Sequence, residues 1–244
     1  MTVLVVTGTD TGVGKTITTA ALAVALTARG HSVAVYKPVQ AGTDEGDGDI
    51  DVVRRLAGIT AVAEGVRLRD PMAPVAAAAR SGARLPPLPV HRDTIARLAA
   101  DHDHVLVEGA GGLLVALDAD GHTIADLALA PAPAAAAIVV CRSGLGTLNH
   151  TALTLEALAA RGIAVAGLVV GSWPRRPTEI ERDNLRWLCA LAVPLLGTVP
   201  DGAGQLAGDR FRQAAPHWFG PDGPRLSRIR SPWDPRRPAG AGSR

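Results

Sequence analysis

The chain alternates short, continuous apolar runs with longer helical stretches. The apolar runs are rich in valine, leucine, isoleucine and alanine, and they predict strands at 3–7, 32–36, 65–68, 105–107, 135–140, 164–170 and 193–196. Because these runs do not alternate with polar residues, both faces of each strand are expected to be covered, as in a parallel sheet with crossover helices.

The stretches between the runs predict helices at 16–29, 49–56, 93–100, 147–160 and 177–192. Strands and helices therefore alternate, which predicts an α/β fold, namely a three-layer α/β/α, doubly wound domain with a mainly parallel sheet. Ligands of such sheets bind beyond the carboxyl ends of the strands. No linker divides residues 1–200, so we assign residues 1–219 to one domain. Residues 220–244 are rich in proline, glycine and arginine and are expected to form a poorly ordered tail.

Composition and charge narrow the class of protein. The 244 residues are 47% hydrophobic and 20% charged, as in a globular chain, and two cysteines cannot build a disulfide framework. The net charge of +2 conceals a net of +6 over residues 210–244, so the basic charge lies in the tail and not on a face that nucleic acid would contact. No signal peptide is evident, and no apolar run is long enough to span a bilayer. We expect a cytoplasmic protein with neither nucleic acid nor membrane as a partner.

A glycine-rich loop follows the first predicted strand and leads directly into a helix. Five residues separate Gly8 from Gly14-Lys15-Thr16, where the phosphate-binding loop usually has four. Glycines allow successive backbone N–H groups to turn towards a polyphosphate, and the helix amino terminus adds its positive end. Lys15 is placed to reach the β- and γ-phosphates and Thr16 to bind Mg²⁺. The pattern predicts a fold of the P-loop NTP hydrolase type.

Two further predicted strands end in charged residues at the same edge of the sheet. Glu108 follows the strand 105–107 and precedes several glycines, so it could bind Mg²⁺ or cap a loop. Lys37 ends the second strand and could meet the phosphates opposite Lys15, or lie in solvent. It is one of only two lysines, against 23 arginines. The next loop carries an acidic run, and the pattern alone does not choose among its members, which are Asp44, Glu45, Asp47, Asp49 and Asp51.

The segment 143–149, SGLGTLN, leaves a strand and opens a helix. Free backbone N–H groups at such a point can bind an anion such as a carboxylate. An ordinary helix start accounts for the segment equally well.

Taken in order, several motifs resemble those of the dethiobiotin synthetase family. They are VTGTDTGVGKT, YKPVQAG, PMAP, VEGAGG and GLGTLNH, and together they span about residues 1–200. The resemblance implies a homodimeric enzyme that uses ATP and Mg²⁺ to close the ureido ring of dethiobiotin from 7,8-diaminononanoate and CO₂. The route implied runs through a carbamate and a carbamic-phosphoric anhydride.

The resemblance also implies roles for individual residues. The catalytic residues would be Lys37, Lys15 and Thr11, and the Mg²⁺ ligands would be Thr16, Asp49 and Glu108, with Asp49 chosen by family position. The nucleotide would contact Gly12, Val13, Gly14, Lys15, Thr16, Ile17, Asp49, Glu108, Gly109, Ala110, Gly111, Gly171, Ser172 and Pro200. The substrate would contact Lys37, Ala41, Pro71 and Met72 and, from the partner subunit, Gly146, Thr147, Leu148 and Asn149.

Two positions depart from the family pattern. Ala41 stands where the family has a small hydroxyl residue, so a hydrogen bond to substrate or carbamate is missing. Gly171-Ser172 stands where many members have an asparagine that reads adenine. A site without that amide should reject other bases less strongly, which predicts a relaxed nucleotide preference that admits CTP or GTP.

Two other classes share parts of the pattern. A partitioning or positioning ATPase would act as a nucleotide switch, but it carries a signature lysine where this chain has Asp10. A glutamine-dependent amidotransferase synthetase needs a glutaminase domain with a nucleophilic cysteine, and residues after 200 contain no cysteine.

Overall fold

Seven parallel strands form one sheet in the computed structural model, which describes residues 1–42, 47–129 and 135–220. The strands are β1 (Thr2–Gly8), β2 (Val33–Ala41), β3 (Val62–Leu68), β4 (His104–Gly112), β5 (Ala135–Cys141), β6 (Val165–Trp173) and β7 (Leu195–Pro200). The helices are α1 (Lys15–Thr27), α2 (Asp49–Ala57), α3 (Pro74–Ser81), α4 (Leu88–Asp101), α5 (Ile124–Ala128), α6 (Thr147–Ala160), α7 (Glu179–Cys189) and α8 (Gly208–Ala214). Two 3₁₀ turns follow β7, at Ala203–Gln205 and Ala215–Trp218.

Helices cover both faces of the sheet, whose strand order is β3-β2-β4-β1-β5-β6-β7. Alternate side chains of β1 enter two separate cores. Val3 and Val5 pack on the face covered by α3 to α7, and Leu4 and Val6 pack on the face covered by α1, α2 and α8. This burial on both sides explains why the strands read as continuous apolar runs, and it confirms the predicted three-layer α/β/α fold.

Four strands extend beyond their predicted ends by three residues or more. β2 continues through Lys37 and Gln40 to Ala41, β4 continues through Glu108 to Gly112, β6 continues to Trp173, and β7 continues to Pro200. The extensions are polar or glycine-rich, so hydropathy did not mark them. They carry charged and glycine residues to the carboxyl edge of the sheet.

The remaining differences are at the starts of β3 and α4 and in short helices. β3 begins at Val62 and α4 at Leu88, three and five residues before their predicted starts. No helix was predicted between 57 and 92, but α3 begins at Pro74, whose fixed φ suits the first turn of a helix. The helices α5 and α8 were also missed, being of five and seven residues. Of the predicted tail, residues 221–244 lie outside the described residues.

Candidate active site

The phosphate loop, β2 and β4 place their functional groups around one cavity. β1 lies between β4 and β5 in the sheet, and β2 is the other neighbour of β4. The loop after β1, Lys37 on β2 and Glu108 on β4 therefore meet at the same edge, beyond the carboxyl ends of the strands. The cavity there has a volume of about 600 Å³.

Most of the predicted site residues line this cavity. Those that do are Thr11, Gly12, Gly14, Lys15, Thr16, Ile17, Lys37, Ala41, Asp49, Pro71, Met72, Glu108, Ala110 and Gly111. Those that do not are Val13, Gly109, Gly171, Ser172, Pro200, Gly146, Thr147, Leu148 and Asn149. The cavity thus brings together the predicted phosphate, metal and reacting groups of one chain, and leaves the segment 146–149 outside.

Four polar side chains converge at the polar end of the cavity. The Oγ1 atom of Thr16 lies 2.8 Å from Oδ1 of Asp49 and 2.9 Å from Oε1 of Glu108. The Lys37 ammonium donates to the same Oε1 atom of Glu108 at 2.9 Å and to the carbonyl of Gly109 at 3.0 Å, and it forms an ion pair with Asp49. One ammonium therefore faces two carboxylates.

Burial and charge set the protonation of this cluster. Lys37 is 3% exposed; burial alone would lower its pKa, but the carboxylates of Glu108 and Asp49 outweigh burial and raise the pKa. Burial raises the pKa of Glu108, against the opposing effect of Lys37. Burial also acts on Asp49, but the charge of Lys37 prevails and lowers its pKa. The cluster thus holds a charged lysine beside two carboxyl groups, of which burial disfavours the ionised form of Glu108.

The donor set of this cluster fits Mg²⁺. Hard divalent cations prefer oxygen ligands, and Mg²⁺ in nucleotide sites uses one or two carboxylates together with phosphate oxygens and water. Thr16, Asp49 and Glu108 supply a hydroxyl and two carboxylates that already converge to within 2.9 Å of the threonine oxygen. An additional cation would also favour the ionised form of the two carboxyl groups.

Lys15 extends along the phosphate loop. Its Nζ atom donates to the carbonyl of Asp10 at 3.0 Å. Burial, helped by the nearby charge of Lys37, lowers the pKa of Lys15 to about 8. A bound polyanion would restore the favourable surroundings of this ammonium.

The far side of the phosphate loop packs against β6 with no room for a side chain. A Cβ atom placed on Gly14, whose φ is 95°, would lie 2.3 Å from the carbonyl oxygen of Gly171. A Cβ atom placed on Gly171 would lie 2.0 Å from the carbonyl oxygen of Val13. Beyond this contact, Ser172 donates to Asp201 at 2.9 Å. Gly171 therefore supports the loop from behind while lying outside the cavity.

The opposite wall of the cavity is apolar. Its side chains come from the end of β2, the segment that opens α3 and the loop after β4, and they are Val39, Ala41, Met72, Ala73, Pro74 and Val115. This surface suits a hydrocarbon chain and offers it few hydrogen bonds.

Other elements fix the segment that opens α6, and sequence reasoning missed their roles. Asn184 on α7 is buried and donates to the carbonyls of Ser143 and Gly144 at 2.8 and 3.0 Å. Arg142 donates to the Asp10 carboxylate and to the carbonyl of Thr11, both at 2.9 Å, and so ties this segment to the phosphate loop. A lone amide or guanidinium carries no spacing signal, because each partner lies 40 residues or more away in the sequence.

Known proteins match this chain along most of its length. A family model described as an AAA domain matches residues 2–204. The ATP-dependent dethiobiotin synthetase of Rhodococcus jostii is 53% identical over 227 residues, covering 90% of this chain and 95% of that protein. That of Mycobacterium avium is 52% identical over 226 residues, covering 91% of this chain and 97% of that protein.

A solved structure supports the fold but not the alternative activity. The septum site-determining protein MinD of Pyrococcus horikoshii, complexed with Mg-ADP, superposes with a TM-score of 0.54 at 20% identity, over 88% of this chain and 93% of that one. Identity this low shows a shared fold alone, so the predicted alternative of a positioning ATPase gains no support from it. Within the described residues, no helix is long and apolar enough to cross a membrane. On its motifs and its relatives at more than 50% identity, the chain belongs to the dethiobiotin synthetase family.

Proposed function

We propose that this chain is an ATP-dependent dethiobiotin synthetase that closes the ureido ring from 7,8-diaminononanoate and CO₂. The observation that carries the proposal is the composition of a single cavity. One end has the phosphate loop and two lysines, and the other end is apolar. A nucleoside triphosphate would bind at the first end and the hydrocarbon chain of the substrate at the second, so that the γ-phosphate and a charged group on the substrate would meet between the two ends.

The reaction proceeds in three steps. One amine of the substrate adds to CO₂ and loses a proton, which gives a carbamate. A carbamate oxygen attacks the γ-phosphorus of ATP, and ADP leaves. The second amine then attacks the carbonyl carbon of the mixed anhydride, loses a proton and expels phosphate, which closes the ring.

The chain's own residues address the main barrier, which is the approach of two anions. Phosphoryl transfer depends on positioning and charge neutralisation more than on covalent chemistry. Lys15 would hold the β- and γ-phosphates from within the loop. Lys37 would place its charge between the γ-phosphoryl group and the carbamate, and Thr11, at the rim of the same cavity, would contact the reacting groups.

Thr16, Asp49 and Glu108 would hold Mg²⁺. When bound, this ion neutralises phosphate charge and orients the triphosphate. Asp49 and Glu108 would also orient the Lys37 ammonium, since both carboxylates contact it.

The base of the nucleotide would lie near the carboxyl ends of β6 and β7. Gly171, Ser172 and Pro200 stand there, and the hydroxyl of Ser172 is engaged by Asp201. Position 171 has no side-chain amide to read adenine, which supports a relaxed preference among bases. The use of ATP also agrees with the predicted cytoplasmic location.

The substrate carboxylate would bind the segment 146–149 of a partner subunit in a homodimer. The segment lies outside the cavity of its own chain, yet its backbone N–H groups open α6. Next to it Leu145 is 86% exposed, and further along α6 Leu153 is 56% exposed, as expected where a second chain packs. Sedimentation equilibrium should give twice the mass of one chain, and Leu145→Glu should shift the equilibrium towards one chain. A single-chain mass for the wild type at all concentrations would contradict the dimer.

Phosphate release from ATP tests the proposed activity. In the presence of Mg²⁺ and bicarbonate, release should depend on 7,8-diaminononanoate and match the dethiobiotin formed. Slow release that ignores the diamine would favour a nucleotide switch instead. Competition among the four triphosphates in the same assay should show modest discrimination, and a preference of about a hundredfold for ATP would count against relaxed base reading.

A further inference from the structure

Gln40 connects the strand that carries Lys37 to the helix that carries Asp49. It lies on β2, three residues after Lys37, and is buried. Its Oε1 atom accepts a hydrogen bond from the backbone N–H of Asp49 at 2.7 Å, and its Nε2 atom donates to the carbonyl of Ala41 at 2.9 Å. Both ends of the amide are therefore used on backbone groups.

The backbone of Asp49 needs such a partner. Asp49 is the first residue of α2, and the first N–H groups of a helix have no partner within it. The residue at the N-cap is Gly48, which has no side chain to accept a hydrogen bond. Gln40 supplies that acceptor from the neighbouring strand, nine residues away in sequence.

Asp49 is consequently held at two points by β2. Its carboxylate contacts the ammonium of Lys37, and its backbone contacts the carboxamide of Gln40. A divalent cation bound by Asp49 competes with the Lys37 ammonium for the carboxylate oxygens. It does not compete with Gln40, because that contact is to the backbone.

We propose that Gln40 is a positioning residue for Mg²⁺, which fixes Asp49 at the distance from Thr16 and Glu108 that the ion requires. The inference rests on the Mg²⁺ role of Asp49 in the proposed function. Groups that orient metal ligands typically change metal affinity by about 10–100-fold when removed. The contribution of Gln40 should be greatest when the metal shares the Asp49 carboxylate with Lys37 and weakens that ion pair.

The test measures Mg²⁺-dependent binding of a non-hydrolysable ATP analogue by calorimetry, using the full chain. Gln40→Met keeps the length of the side chain but removes the acceptor. It should raise, by about tenfold, the Mg²⁺ concentration at which the enhancement of analogue binding is half-maximal. Gln40→Glu keeps an acceptor oxygen for the Asp49 N–H group but loses the donor to Ala41, so its half-maximal concentration should rise less than that of Gln40→Met. Gln213→Met makes the same change at an exposed position on α8 and should have no effect.

Binding in EDTA separates positioning from a general structural role. Gln40→Met should bind the metal-free analogue within about twofold of wild type, because the hydrogen bonds of Gln40 are to Asp49 and Ala41 and not to the phosphate loop. An unchanged Mg²⁺ requirement, an equal rise in Gln40→Met and Gln40→Glu, or a parallel loss of metal-free binding would each overturn the proposal. If Gln40→Met fails to fold, Gln40→Ala takes its place with the same expectations. Since no diamine is present, failure of the proposed synthetase activity would not alter this result.

Discussion

Replacing Lys37 with methionine is expected to lower kcat by about 10²–10³-fold while leaving the affinity for ATP nearly unchanged. Lys37 is buried and lines the cavity that is shared by the phosphate loop and the apolar wall, so its charge would act where the two anions meet. Removing one preorganised donor at developing charge typically costs this much in rate. Nucleotide affinity should persist, because Lys15 and the loop amides contact the triphosphate independently.

The same substitution should also alter stability in a way that depends on Mg²⁺. Removing one partner from a buried ion pair costs about 3–5 kcal/mol, because the remaining charges lose their counter-ion. In Lys37→Met, Asp49 and Glu108 lose that counter-ion, and Mg²⁺ should offset part of the loss. Urea unfolding with Mg²⁺ and with EDTA measures this difference.

Arg54→Met is the matched control for Lys37→Met, since it removes a positive charge from an exposed position on α2. It should keep kcat within about twofold of wild type, as for other surface substitutions. A kcat within tenfold of wild type in Lys37→Met would contradict a catalytic role. Failure of Lys37→Met to fold even with Mg²⁺ would instead assign the lysine to the structure.

The sequence predicted the parts of the site that lie on contiguous motifs. The phosphate loop has a fixed spacing between glycine, lysine and threonine, and Lys37 and Glu108 each follow an apolar run, so their meeting towards one sheet edge follows from parallel topology. The side chains that support these groups were not predictable. Gln40 and Asn184 act on backbone atoms, of Asp49 nine residues away and of Ser143 41 residues away, and no sequence pattern identifies such partners.

The acidic run after β2 illustrates the same limit. Five carboxylates lie within eight residues, and neither hydropathy nor spacing distinguishes them. In the structure Asp49 begins α2 and faces the cavity, whereas Asp51 turns to Arg67 and to the N–H group of Gly48. Asp47 is exposed, and residues 44 and 45 lie outside the described part. Which carboxylate faces the cavity therefore depends on where α2 begins and on which side chains of β2 contact it.

Gly171→Ala is expected to weaken ATP binding by about tenfold to a hundredfold and to lower the free energy of unfolding by about 1–3 kcal/mol. The added Cβ atom would lie 2.0 Å from the carbonyl oxygen of Val13 and 2.5 Å from a methyl carbon of Val140. The first contact is with backbone, so relief requires movement of either β6 or the phosphate loop. Movement of the loop misdirects the N–H groups that bind phosphate.

Calorimetric binding of the ATP analogue, together with urea unfolding, measures both effects. Gly220→Ala is the matched control, because a Cβ atom there has no neighbour within 4 Å among the residues that the structure describes. Wild-type affinity in Gly171→Ala would show that β6 yields without disturbing the loop, and would contradict the expected coupling.

The close contact between Gly171 and the carbonyl of Val13 also limits how base preference can be tested. An asparagine at position 171 begins with the same Cβ atom, so Gly171→Asn should disturb the phosphate loop before its amide could read a base. The variant is expected to bind all four triphosphates more weakly, without gaining selectivity for ATP. If Gly171→Asn instead bound ATP with wild-type affinity, and CTP and GTP more weakly than ATP, β6 would have moved to accommodate the new side chain. The close packing of Gly14 against Gly171 indicates that the glycine at 171 is matched to the loop in front of it.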